Sequence, residues 1–74
     1  MNKVRREKIK RINVMIEAAL EELRTVLDEE QDYYDNIPEN LLGSERAEAS
    51  EEAIDIISDS IDSIEEVIES ISDI

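Results

Sequence analysis

Ile54, Ile57, Ile61, Ile64, Ile68 and Ile71 recur at alternating steps of three and four. That spacing sets all six side chains on one face of a helix and predicts a helix from about residue 45 to residue 74. With these isoleucines as the a and d positions of a heptad, two further rows appear. The b and f positions are Glu48, Glu52, Asp55, Asp59, Asp62, Glu66, Glu69 and Asp73, all acidic. The c and g positions are Ala49, Ala53, Ile56, Ser60, Ser63, Val67, Ser70 and Ile74, all small or apolar. One face must pack, a second is able to, and a third is charged.

A helical pattern also runs from about residue 3 to residue 35. Ile9, Ile12, Ile16, Ala19, Leu23, Val26 and Tyr33 share one heptad row, interrupted at Glu30, while Leu20, Leu27 and Tyr34 widen it. A stripe this broad suits a helix with more than one neighbour. The segment 36–44 contains the chain's single proline and single glycine and predicts the connection. Pro38 biases Ile37 away from helix, Gly43 is suited to closing the turn, and Ser44 is suited to capping the second helix. Leu41 and Leu42 are expected to fold back on the helix ends near Tyr33 or Tyr34. The predicted architecture is all-α: one domain, residues 1–74, forming an antiparallel helical hairpin.

Composition extends this picture to assembly. A chain of 74 residues buries little apolar surface alone, and it has no cysteine to form disulfides and no histidine to join a zinc site. Self-association is the remaining support, and a homodimer forming a four-helix bundle is expected, with Ala53, Ile56, Val67 and Ile74 at its contact. The net charge of −13 is unevenly spread: residues 1–11 carry +5, residues 12–46 carry −8 and residues 47–74 carry −10. In an antiparallel pair, Lys3, Arg6 and Lys10 are expected to approach Glu65, Glu66, Glu69 or Asp73.

Chemistry is thinly represented. Acid–base and nucleophilic catalysis need matched groups in a water-excluding cleft, and neither His nor Cys is present. No enzyme activity, cofactor or small-molecule substrate is expected. Asp28, Glu30, Asp32, Asn36 and Glu39 fit positions 1, 3, 5, 9 and 12 of a calcium loop, but Tyr33 stands where the sharp turn needs glycine, so no metal site is assigned. The basic cluster at residues 3–11 is followed by a strongly acidic remainder that repels nucleic acid. Absence of a long apolar run, and of an apolar core after the basic start, argues against a membrane span or signal peptide.

The acidic row is the sharpest remaining feature. Glu48/Glu52, Asp55/Asp59, Asp62/Glu66 and Glu69/Asp73 are like-charge pairs at i, i+4, each unfavourable by roughly 0.2 to 0.5 kcal/mol. Its carboxylates stand about 5 Å apart along the axis, so two copies approach the charge density of a nucleic-acid duplex. These eight residues are the candidate partner-binding site, matched to a basic protein surface, with DNA mimicry one form of that match.

The run Asp28-Glu29-Glu30-Gln31-Asp32-Tyr33-Tyr34-Asp35-Asn36-Ile37-Pro38-Glu39-Asn40-Leu41, followed by Gly43-Ser44-Glu45-Arg46, resembles the centre of a family of short acidic helical proteins from bacteriophages and mobile elements. The resemblance covers roughly residues 20 to 65 and is most specific in the loop; Leu42 departs from the polar residue expected there. It implies a phage-type origin and a location in the bacterial cytoplasm, and the family carries no assigned general activity. The functional expectation is a non-enzymatic protein that binds and inhibits a host protein, such as an antiviral defence factor or nucleic-acid-binding enzyme. The alternative is a structural or assembly module whose acidity serves only solubility.

Overall fold

The computed structural model covers all 74 residues and consists of helices without strands: α1 (Lys3–Asp35), a short 3₁₀ turn (Glu39–Leu41) and α2 (Glu45–Ser72). Each long helix begins with a side-chain cap. The Asn2 side chain accepts from the Arg5 amide at 2.9 Å, and the Ser44 hydroxyl oxygen accepts from the Ala47 amide at 3.2 Å. Such caps satisfy amides that have no partner within their own helix. At the other end of α1, the Asn36 amide bonds back to Asp32 and Tyr33, and its side-chain amide donates to the Asp32 carbonyl at 2.7 Å.

The connection turns without glycine's special freedom. No residue has positive φ, and a Cβ on Gly43 would meet nothing within 4 Å. Gly43 stands in the turn with ordinary backbone geometry. Pro38, at φ −56° and ψ 141°, leads into the 3₁₀ turn, whose last amides bond back to Pro38 and Glu39. Ile37 is half-buried, whereas Leu41 and Leu42 stay exposed. Leu41 does lie beside Tyr33 in an open depression, but it covers no core.

α1 and α2 pack along their whole length into a rod whose Cα extents are 59 × 14 × 13 Å. Its radius of gyration of 17.2 Å exceeds the roughly 11 Å expected of a compact globule this size. From α2 the inward row is Ala47, Ser50, Ile54, Ile57, Ile61, Ile64, Ile68 and Ile71. From α1 it is Ile9, Asn13, Ile16, Leu20, Leu23, Leu27, Glu30 and Tyr34.

That α1 row corrects the expected one. Ile9, Ile16 and Leu23 are shared, but Ile12, Val26 and Tyr33 are exposed, and the row expected only to widen the stripe forms the seam. The reason is geometric: one neighbouring helix covers only a narrow stripe, so packing must choose a side. Leu20, Leu27 and Tyr34 offer more apolar surface than Ile12, Ala19 and Val26, and they are the ones covered. The core remains thin. Leu20, Ala47 and Ile61 are its only buried apolar residues.

Candidate functional site

The seam has polar ends. Near the loop, the Ser50 hydroxyl donates to Glu30 Oε2 at 2.6 Å. Near the opposite end, Asn13 is buried, and its Nδ2 donates to Ser72 Oγ at 3.1 Å and approaches the Ile68 carbonyl at 3.5 Å, while Oδ1 has no partner. Ser72 in turn donates to the Ile68 carbonyl at 2.8 Å. A polar side chain inside a helix seam penalises shifted alignments, because sliding by a turn would leave it unpaired. Asn13 lies seven residues before Leu20, on a row already marked by the apolar pattern, and only its polarity hides it.

Beside the seam, the rod has two unlike flanks. On one, Arg24 bridges the helices, its guanidinium donating to Glu65 Oε1 at 2.7 Å and also pairing with Glu21. The hydrogen bond to Glu65, followed by that to Glu21, raises the Arg24 pKa above its ordinary value despite opposing desolvation. These are the only ion pairs in the chain. The expected pairing of Lys3, Arg6 and Lys10 with Glu65, Glu66, Glu69 or Asp73 does not form. Glu66, Glu69 and Asp73 occupy outer positions of α2, and Glu65, which borders the seam, lies level with Arg24.

The other flank carries Tyr33, Ala49 and Ala53 around one shallow depression. Heptad spacing places Ile12, Ala19 and Val26 of α1 in line with Tyr33, and Ser60 and Val67 of α2 in line with Ala53. Ile56 adjoins the α2 row. Ile12, Val26, Tyr33, Ile56 and Val67 each leave between 42 and 58% of their surface exposed. Ser60 and Ser63 donate back to the Ile56 and Asp59 carbonyls, at 2.7 and 3.2 Å, so neither hydroxyl requires an outside acceptor. Ala53, Ile56 and Val67 of the proposed self-association set lie here. Ile74 does not: it follows the last helical residue and lines a depression with Arg6, Ile9, Lys10 and Val14 at the open end.

The eight carboxylates Glu48, Glu52, Asp55, Asp59, Asp62, Glu66, Glu69 and Asp73 are all exposed along α2, and none takes part in an ion pair. They face solvent on the side of α2 away from α1. Asp28, Glu30 and Asp32 lie in continuous helix, with Glu30 turned to Ser50, and no group of carboxylates is placed to hold a metal ion. No helix is long and apolar enough to cross a membrane. Comparison with family models, curated proteins and solved structures finds no match to this chain.

Proposed function

We propose that this protein is a non-enzymatic binding module that works as a homodimer, with the apolar flank taken by a second copy and the acidic face of α2 docked on a basic surface of a host protein. In this reading, occupying that surface inhibits the partner, a nucleic-acid-binding enzyme or antiviral defence factor being the kind of target whose basic groove matches the ladder. The resemblance of the loop to acidic bacteriophage proteins fits this role and a bacterial cytoplasmic setting.

The supporting observation is the segregation of charge. Eight carboxylates line the outer side of one helix with no cation of the hairpin near enough to neutralise them. A surface serving solubility alone would mix signs and avoid the i, i+4 repulsions that this helix retains. Unneutralised charge of one sign attracts a basic surface from a distance and accelerates encounter.

The test compares wild type with the variant carrying Asp55→Lys, Asp59→Lys, Asp62→Lys and Glu66→Lys. Both are used for capture from bacterial lysate, and the retained protein is then purified and assayed for activity. The wild type should retain and inhibit it, whereas the variant, with unchanged helicity by circular dichroism, should do neither. Equal retention by both would overturn the acidic surface as the site. A second reading, an assembly module, is favoured by the exposed apolar flank; under it, Ile56→Glu abolishes assembly and the lysine reversals have little effect.

A further inference from the structure

We propose that the second copy covers the apolar flank head to tail, so that the Lys3–Arg11 end of each hairpin lies over the acidic loop end of the other. This inference rests on the homodimer part of the proposed function and not on the acidic face. The apolar row from Ile12 to Tyr33 spans about 32 Å of a rod 59 Å long and 14 Å wide, and with the charged ends included the contact face is roughly 800 Å² per copy. That is the size of a standard stable interface. The hydroxyls of Ser60 and Ser63 are already satisfied, so covering those two strands no polar group.

Charge selects the orientation. At the open end, residues 1–13 carry six cations against Glu7 and residues 64–74 carry four carboxylates, a net of +1. At the loop end, residues 28–52 carry ten carboxylates against Arg46, a net of −9. Because the Debye length at physiological salt is about 8 Å, each end responds only to charge placed beside it. With both loops at the same end, −9 faces −9. Head to tail, each acidic loop end faces six cations that have no ion-pair partner within their own hairpin.

Side-chain sizes fit the same arrangement. Turning one hairpin end for end over the other places α1 against α1 and α2 against α2, both antiparallel. The register that keeps the whole α1 row covered sets Ile12 of one copy against Tyr33 of the other, and Ala19 against Val26. The corresponding α2 register, fixed by the levels at which Glu30 meets Ser50 and Asn13 meets Ile68, sets Ala53 against Val67 and Ile56 against Ser63, with Ser60 meeting its own counterpart. A large side chain then faces a small one at most levels, as interdigitating layers require. The acidic ladders of both copies remain on the outside.

The chain has no cysteine, so introduced thiols report the arrangement directly. The Ala19→Cys and Val26→Cys chains are mixed and oxidised, Ser60→Cys is oxidised alone, and Ala19→Cys is mixed with Ser63→Cys as the counter-test. Head-to-tail packing links the Ala19→Cys chain to the Val26→Cys chain and links Ser60→Cys to itself, and adding Ile56→Glu abolishes both products. A predominant link between the Ala19→Cys and Ser63→Cys chains indicates loops at the same end and overturns the proposal. So does a dimer forming none of these links, or an unmodified chain that sediments as a monomer at all concentrations. Failure of the acidic-face reading is recognised separately, by partner capture that survives the lysine reversals while these links still form.

Discussion

The two flanks of the hairpin border the same seam and differ in almost everything else. One is spanned by Arg24 between Glu65 and Glu21, a charged cluster beside Val14 and Ala18 that loses water when covered. The other presents Ile12, Val26, Tyr33, Ile56 and Val67 among alanines and internally bonded serines. A rod with one wet flank and one dry flank is suited to pairing on one side only. Under the proposed pairing that asymmetry closes the assembly at two copies, whereas two sticky flanks would yield open-ended association.

The comparison is broken most severely through the seam that both flanks share. Leu20→Ala or Ile61→Ala should cost about 2 to 5 kcal/mol and abolish both the Arg24 bridge and the apolar flank, measured as lost helicity and a lowered thermal midpoint. Ile56→Glu, which lies outside the seam, should separate the effects. We expect roughly a hundredfold weaker self-association by sedimentation, with helicity retained at high protein concentration.

Smaller changes sharpen the contrast. Asn13→Leu removes an amide whose Oδ1 is buried without a partner and should raise stability by about 1 kcal/mol in denaturant unfolding. It should also loosen the alignment of the two helices. Gly43→Ala, at a position with ordinary backbone geometry and open space, should stabilise by about 0.4 to 1 kcal/mol by restricting the unfolded chain. Arg24→Met on the wet flank should change the thermal midpoint least of all, and the difference should vanish at high salt, because an exposed ion pair is screened. A large effect of Arg24→Met on dimerisation would show that the wet flank is the contact.

How far each flank can be read from the chain follows from how its residues act. The isoleucine row of α2 is unambiguous because it alone has a large apolar side chain at every position, whereas the neighbouring row mixes alanine and serine with Ile56 and Val67. The Ser44 cap is equally legible, since a serine before an acidic first turn satisfies the amides there. α1 is not, because its apolar positions form three adjacent rows and a hairpin gives it only one partner. Asn13 and Glu30 escape a reading by pattern because polarity alone marks them for solvent, and only the Ser72 and Ser50 groups supplied by α2 make their inward positions tolerable. The expected pairing of Lys3, Arg6 and Lys10 fails for a related reason: complementary net charge at one end of a rod does not aim the side chains at each other.

The sequence by itself therefore determined that this chain forms two long helices joined by a proline-containing turn, and that α2 carries an unbroken row of carboxylates. Those properties depend on periodicity and local capping, which operate within a few residues along the chain. Which stripe of α1 enters the seam was decided only by tertiary packing, and with it the exposure of Ile12, Val26 and Tyr33 beside the small side chains of α2. A single helix neighbour can cover one stripe. The stripe it leaves uncovered became the face of the molecule that is open to a second copy.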